Sequence, residues 1–156
     1  MFWRVRGKAY SGGWGAKNRA AFRRIVMKGP PPGLLAYMGK DPVGWCALAP
    51  RKEYERLAFS RVLAPVDDKP SWSVTCFYVA REHRGAGLTV ALLRAATEHA
   101  RARGAKILEG YPIDTGGGRA ASPWVYTGLP SAFEKAGFRE VERRSKTRPI
   151  MRRRTR

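Results

Sequence analysis

A glycine-rich turn holds the residues of this sequence that are best placed to do chemistry. The run Arg84-Gly85-Ala86-Gly87-Leu88-Thr89 follows an apolar segment and opens an amphipathic one. A turn of this kind at a helix start exposes unpaired amides, and the helix dipole favours an anion there. Arg84 adds a cation and Thr89 a hydroxyl. The pattern is neither a P-loop nor a complete dinucleotide fingerprint. It therefore predicts a phosphate site of another kind, with a plain strand-to-helix turn as the alternative.

The segments on either side of the turn predict the elements that position it. Trp72–Val79 is apolar and aromatic with β-branched members, as is typical of a central strand. Residues 88–103 repeat apolar side chains on one helical face, and Gly104 ends that helix. Further segments predict helices at 19–27, 51–57 and 130–136, a strand at 106–111, and hairpins of 34–37 with 43–48 and of 138–144 with 148–151. This order predicts an α/β fold with a strand–helix–strand crossover.

The charge of the chain is strongly positive. Its 156 residues include 31 Lys and Arg against 12 Asp and Glu, for a formal net charge of +19. The length suits one domain, here residues 1–156. Such a charge attracts polyanions, so a nucleic-acid-binding domain is one alternative. Because only residues 152–156 form a dense basic run, we interpret that run as a solvated tail and do not expect nucleic acid as a partner.

Cysteine usage and hydropathy narrow the class of protein further. Cys46 and Cys76 both lie in apolar runs, which predicts buried side chains and neither a disulfide framework nor a zinc site. No stretch approaches the roughly 18 apolar residues of a membrane span. The sequence therefore predicts a cytoplasmic protein with no membrane contact.

Two motifs resemble those of the GNAT superfamily of acetyltransferases. Residues 84–89 match its Arg/Gln-x-x-Gly-x-Gly/Ala signature except at Thr89, and Phe133-Glu134-Lys135-Ala136-Gly137-Phe138 is similar to its Tyr-x-x-x-Gly-Phe segment. The resemblance covers about residues 34–151 in element order. It implies a mixed, mostly antiparallel twisted sheet flanked by helices. Because only about thirty residues precede Leu34, it also implies that the usual first strand and helix are lacking. A homodimer could cover the sheet edge exposed in this way.

The resemblance also implies a co-substrate, acetyl-CoA, and the residues that bind it. The main chain of Phe77, Tyr78 and Val79 would pair with the pantetheine arm like an added strand. The pyrophosphate would be cradled by the turn and the start of the helix, that is by Arg84, Gly85, Ala86, Gly87, Leu88 and Thr89. Neither a metal nor a covalently bound cofactor is implied.

Three side chains are candidates for catalysis of acetyl transfer, which requires a neutral amine and a proton for the leaving thiolate. Members of the family often supply that proton from a Tyr at the position that Phe133 occupies in this sequence. A phenylalanine has no hydroxyl and cannot donate a proton. Tyr126 is the nearest substitute, with simple packing as the alternative. Glu109 interrupts an apolar strand beside the implied cleft, where partial desolvation would suit a base. It could equally be an outward-facing carboxylate or an arginine partner. Asp114, at the mouth of the same strand, is the second candidate, as a base or as a contact to a cationic amine.

Other residues near the implied site receive weaker interpretations. His83 is expected to be an exposed donor and His99 a structural residue. Trp45 and Trp124 are candidate walls of an acceptor pocket, or else core residues. The sequence thus predicts an N-acetyltransferase in which an amine-bearing acceptor, a small molecule, attacks acetyl-CoA directly. The alternative favoured by Phe133 is a catalytically weak acyl-CoA-binding module of the same fold.

Overall fold

The structure, a computed structural model, describes residues 1–118 and 125–155. One sheet contains six strands in the order β1-β2-β3-β4-β6-β5, and only β3 and β4 are parallel neighbours. The predicted mixed, mostly antiparallel sheet flanked by helices is confirmed. Along the chain the elements are α1 (Gly7–Ser11), α2 (Ala16–Lys28), β1 (Gly33–Met38), β2 (Asp41–Pro50), α3 (Glu55–Ala58), β3 (Trp72–Val79), α4 (Leu88–Ala102), β4 (Ile107–Gly110), α5 (Pro130–Lys135), β5 (Arg139–Arg143) and β6 (Pro149–Arg154).

The N-terminal region forms two helices that precede the first strand of the sheet. Both α1 and α2 precede β1, and β1 forms one edge of the sheet. Leu35, Tyr37 and Met38 on that edge strand are each more than half exposed. An exposed edge of this kind is compatible with the homodimer expected from the sequence, which stays a prediction.

Two separate cores cover the two faces of the sheet. Neighbouring residues of a strand point to opposite faces, and Leu48 and Ala49 of β2 accordingly belong to different cores. The first core lies under α4, whose Leu93 and Ala96 are fully buried. Each fully buried leucine contributes roughly 1.5–3 kcal/mol. The second core contains Tyr54, Leu57, Leu63, Tyr111 and Ile150.

The central pair of strands separates partway along its length. β3 pairs with β4 only over Trp72–Val74, opposite Leu108–Gly110, and β3 then continues alone to Val79. On its other side β3 stays paired with β2, where the register skips Thr75 and so produces a β-bulge. The sheet therefore presents an open strand edge beside the turn that enters α4.

The basic run at the end of the chain belongs to the sheet and is not a solvated tail. β6 extends to Arg154, so the interpretation of residues 152–154 as a tail was wrong. Arg152 is 13% exposed and binds Asp67 at 2.6 Å and Glu109 at 2.7 Å. These partners lie far away in the sequence, and for that reason the local charge pattern did not indicate them.

Candidate active site

A cavity of about 690 Å³ opens where β3 and β4 separate. It lies between the end of β3, the start of α4 and the segment that leads into α5. We call it the first cavity. Its lining includes five of the nine residues that were expected to bind the co-substrate: Phe77, Tyr78, Val79, Arg84 and Thr89.

The other four predicted residues form the turn that connects β3 to α4. Gly85 and Gly87 have φ angles of 83° and 78°, in the left-handed region that favours glycine. A Cβ atom at either position would meet no other atom within 4 Å, so the space beside the turn is open. Gly87 is the N-cap of α4 and provides no side-chain cap. Within the described chain, the amides of the turn from Gly85 to Gly87 form no backbone hydrogen bond.

The open edge of β3 is partly engaged by other groups. The Phe77 amide donates to the carbonyl oxygen of Tyr126 at 2.6 Å. Val79 lies two residues further on, on the same side of the strand, and its carbonyl accepts a 3.1 Å hydrogen bond from Nε of Arg84. This second contact holds the guanidinium group of Arg84 against the strand edge at the cavity wall.

Tyr126 stands between two cavities. Besides the first cavity it lines a second cavity of about 500 Å³. Burial raises the pKa of its half-buried phenol above the ordinary value, so the hydroxyl keeps its proton at neutral pH. Phe133 is fully buried, packs edge-on against Phe77 and Phe138, and is not among the residues that line either cavity.

Glu109 does not occupy the position of a base, and this expectation is corrected by its surroundings. The residue is 1% exposed and lines neither cavity. Its Oε1 accepts from Arg152 at 2.7 Å, and its Oε2 accepts from the Tyr111 hydroxyl at 2.7 Å and from Arg51 at 3.2 Å. Because both oxygens are held by guanidinium groups inside the protein, Glu109 is the arginine partner that the sequence left open as an alternative.

Asp114 is also placed away from both cavities. Its carboxylate accepts from the Gly116 amide at 2.9 Å and forms an ion pair with Arg143 at 2.8 Å. The Gly116 amide and then Arg143 lower the pKa of Asp114, which makes it a weaker base than an ordinary carboxylate. The expectation that it acts as a base or contacts the acceptor amine is therefore not supported by its position.

The second cavity is the feature that the sequence reasoning largely missed. Its lining includes Trp45, which the sequence left open as either a pocket wall or a core residue, while Trp124 lies outside the described residues. The remaining walls come mainly from the N-terminal region and from the bulge in β3, and they include Phe2, Trp3, Arg4, Tyr10, Phe22 and Thr75. The density of aromatic residues in the first 22 positions was the signal available in the sequence.

No group of three or more His, Cys, Asp or Glu side chains in residues 1–118 and 125–155 could hold a metal ion. None of the described helices combines the length and apolarity needed to cross a bilayer.

Comparison with solved structures identifies the class of fold. Ribosomal-protein-alanine N-acetyltransferase from Brucella melitensis superimposes with a TM-score of 0.56 at 22% identity, covering 88% of this chain and 76% of that one. A protein described as a GNAT-family acetyltransferase from Desulfovibrio desulfuricans gives 0.53 at 19% identity, with coverages of 80% and 68%. The NatC complex bound to Gag peptide and CoA gives 0.54 at 12% identity, with coverages of 85% and 77%. At these identities the likeness shows that the chain has the fold of the acetyltransferases.

The sequence profile of the Acetyltransferase (GNAT) family matches residues 1–112. The chain therefore belongs to the GNAT family of acetyltransferases. No curated protein matches it in sequence.

Proposed function

We propose that this chain is an acyl-CoA-dependent N-acetyltransferase that transfers an acetyl group from acetyl-CoA to an amine. The observation that carries the proposal is the first cavity, which joins an open strand edge to the uncapped start of α4. A strand edge offers amides and carbonyls to an extended amide-bearing arm, and a helix start offers donors to a phosphate. One cavity that provides both suits a ligand with a pantetheine arm and a pyrophosphate.

The residues of the turn fit that co-substrate. The amides from Gly85 to Thr89 would hold the pyrophosphate, because a helix start leaves its first amides without intrahelical partners and the N-cap Gly87 provides no side-chain cap. The open space beside Gly85 and Gly87 allows the phosphates to approach the main chain closely. Arg84 would add a charge-assisted hydrogen bond to a phosphate oxygen. Thr89, like Arg84, lines the first cavity, so its side chain is also available to the ligand.

Tyr126 is the proposed general acid of the transfer. Acetyl-CoA supplies an acetyl group activated as a thioester. As the amine attacks the carbonyl, the Tyr126 hydroxyl gives its proton to the leaving sulfur, and the proton lost by the amine returns to the phenol through solvent. The raised pKa of Tyr126 suits this role, since an acid must carry its proton at the working pH.

A charge placed in the turn tests the co-substrate site. Gly87→Glu puts a carboxylate where the pyrophosphate is expected, and Gly104→Glu is the matched control. The two glycines have φ angles of 78° and 79°, flank the same helix and have open space at Cβ. An acidic residue is favourable at a helix start and unfavourable at its end, so the control carries the larger cost in folding.

Calorimetric titration with acetyl-CoA gives the readout. Gly87→Glu is expected to weaken binding by about tenfold to a hundredfold, the equivalent of one charged hydrogen bond or more. Gly104→Glu should bind like the parent protein. Equal affinity of both variants would contradict the proposed site, and so would a parent protein that does not bind acetyl-CoA.

The second candidate function is an acyl-CoA-binding module without turnover. Two observations favour it: Phe133 has no hydroxyl, and the Phe77 amide, which faces the open edge of β3, already binds the Tyr126 carbonyl. An assay of free thiol release with acetyl-CoA and a set of amines separates the two candidates. Binding without thiol release would support the module, and release that depends on the amine would support the enzyme.

A further inference from the structure

Four residues that line the second cavity have buried polar atoms without a hydrogen-bond partner in the described structure. Tyr54 and Thr75 are 2% and 1% exposed, and in the described structure neither hydroxyl forms a hydrogen bond. Burial raises the pKa of Tyr54 to about 12. The charge of Arg4 and the neighbouring Thr75 hydroxyl oppose part of this rise. Trp3 Nε1 and Arg4 Nη2 are also buried without a partner. Four such atoms at one cavity are unusual, because buried polar groups are normally paired.

Arg4 is the arginine among the described residues that line the second cavity. Arg4 is 90% buried in its side chain and lies over the Tyr54 ring at 4.9 Å, while its Nη1 binds Glu53 at 2.7 Å. Its second terminal nitrogen, Nη2, is buried and has no hydrogen-bond partner among the described residues. No carboxylate or histidine side chain is among the described residues that line the cavity. A ligand that supplies acceptor oxygens, and preferably an anionic group, would satisfy this set of donors.

The walls of the second cavity are aromatic. Phe22 and Trp45 pack edge-on with ring centroids 6.0 Å apart, and Phe2 and Tyr10 do so at 5.5 Å. Gly33 allows the Trp45 ring to lie against the main chain, since a Cβ there would come within 2.3 Å of it. Rigid aromatic walls around about 500 Å³ are typical of a pocket for a small planar molecule.

The cavity also restricts the kind of amine that can react. A nucleophilic amine must be neutral, and an alkylamine is protonated at pH 7. The lining provides no carboxylate or histidine to remove that proton or to pair with the ammonium group. The residues outside the description, 119–124 and 156, contain no such side chain either. An aromatic amine is already neutral at pH 7, because its lone pair is delocalised into the ring, and so needs no base.

We infer that the acceptor is an aromatic amine that carries a carboxylate, bound in the second cavity. This inference rests on the proposed function. The carboxylate contacts Arg4 and the neighbouring Tyr54 hydroxyl, and the ring lies between the aromatic walls. The amine then faces Tyr126, which the two cavities share. Its nitrogen forms a bond to the acetyl carbon as the carbon–sulfur bond breaks. The nitrogen loses one proton and the sulfur gains one through Tyr126, giving the N-acetyl product and free CoA.

Three amines test the substrate class in the thiol-release assay with acetyl-CoA. The probe is 4-aminobenzoate, aniline lacks its carboxylate, and benzylamine is cationic at pH 7. We expect 4-aminobenzoate to be acetylated with kcat/KM at least about tenfold above that of aniline, the value of one charged hydrogen bond. Benzylamine should not react. Preference for benzylamine, or for a short peptide with an unblocked N-terminus, would overturn the inference, and the enzyme itself would stand.

The variant Arg4→Gln tests whether Arg4 causes the preference for 4-aminobenzoate over aniline. The variant should raise KM for 4-aminobenzoate by about tenfold, leave aniline unchanged and so remove the preference. Arg6→Gln is the matched control, because the Arg6 guanidinium stacks on Phe59 at 3.4 Å and does not line the second cavity. A preference that survives Arg4→Gln would overturn the inference.

Tyr54→Phe separates binding from folding. Since the Tyr54 hydroxyl has no partner, its removal should leave the urea unfolding midpoint unchanged or higher and still raise KM for 4-aminobenzoate. An unchanged KM would contradict the inference.

Direct binding distinguishes this inference from the proposed function. Titration of 4-aminobenzoate by tryptophan fluorescence, with and without CoA, needs no turnover. Binding that is lost in Arg4→Gln supports the pocket chemistry even if acetyl-CoA is not used. No binding by a protein that does bind acetyl-CoA overturns the inference alone.

Discussion

Replacing Glu109 by Gln tests whether that residue is structural or catalytic. In the structure two guanidinium groups, those of Arg51 and Arg152, are balanced by two carboxylates, those of Glu109 and Asp67. The substitution keeps the shape of the side chain but leaves this cluster with an uncompensated positive charge. Glu109 is 1% exposed, and both arginines are 13% exposed. Breaking a buried pair by removing one partner costs about 3–5 kcal/mol.

That loss is a large fraction of the stability of an ordinary domain, which is about 5–15 kcal/mol. With a urea dependence of about 2 kcal/mol per M, the unfolding midpoint of Glu109→Gln should fall by about 2 M at an unchanged slope. Glu140→Gln is the matched control, because its ion pair with Arg143 is 40% and 32% exposed and should contribute only about 0–1 kcal/mol.

Kinetics under conditions where both variants are folded complete this test. We expect kcat for Glu109→Gln to remain within about twofold of the parent value, since a residue outside both cavities takes no part in proton transfer. A stability loss below about 1 kcal/mol together with a kcat reduced by about a hundredfold would refute the reasoning. That result would restore Glu109 as the base.

The remaining predictions concern Tyr126 as the general acid and the ion pair of Asp67 with Arg152. Tyr126→Phe should lower kcat by about a hundredfold or more with little change in acetyl-CoA affinity, whereas Tyr78→Phe in the same cavity should not. Because the pKa of Tyr126 is raised, the parent pH–rate profile should show no fall due to this group below about pH 10; a fall near pH 8 that disappears in Tyr126→Phe would contradict the assignment. Hydrogen bonding to Arg152 lowers the pKa of Asp67 to about 2 in the folded protein. The Asp67 carboxylate therefore stabilises the fold fully at pH values above its pKa in the unfolded chain, and this stabilisation is lost as the pH falls through its pKa in the folded protein. The gap in urea midpoint between the parent and Asp67→Asn should thus be constant from about pH 7 to 5 and narrow from about pH 4 to 2, and a gap that persists at pH 2 would contradict this.

The elements around the turn were predictable because their signals are local. The strand Trp72–Val79 has the predicted bounds, and α4 begins at the predicted Leu88 and ends one residue early. Apolar periodicity, a stop glycine and a glycine-rich turn are all read within a short window. The same window indicated the open turn at Gly85 and Gly87, whose geometry suits an anion.

The residues that were misassigned depend on contacts over long distances in the sequence. Glu109 and Arg152 are 43 positions apart, and Asp67 and Arg152 are 85 apart. A carboxylate in an apolar strand looks the same whether it faces a cleft or a buried guanidinium group. The pairing of β4 with β6 places Glu109 opposite Arg152, and it also makes the basic run part of a strand.

The second cavity was hidden for a related reason. Its walls come from the first residues of the chain, from α2, from β2 and from the bulge at Thr75. None of these segments carries a motif alone. The unpartnered Arg4 nitrogen and Tyr54 hydroxyl become informative only when the fold buries them together.

The packing of Phe133 bears on the proposal that Tyr126 is the proton donor. The Phe133 ring is fully buried beside Gly110 and Gly128, where an added Cβ would come within 1.9 Å and 2.9 Å of it. Its Cζ lies next to the Gly110 main chain, so a hydroxyl at that carbon would enter this packing. The segment that covers the ring instead directs Tyr126 to the boundary of the two cavities. The local packing therefore agrees with the proposal that the general acid lies in the segment that precedes α5.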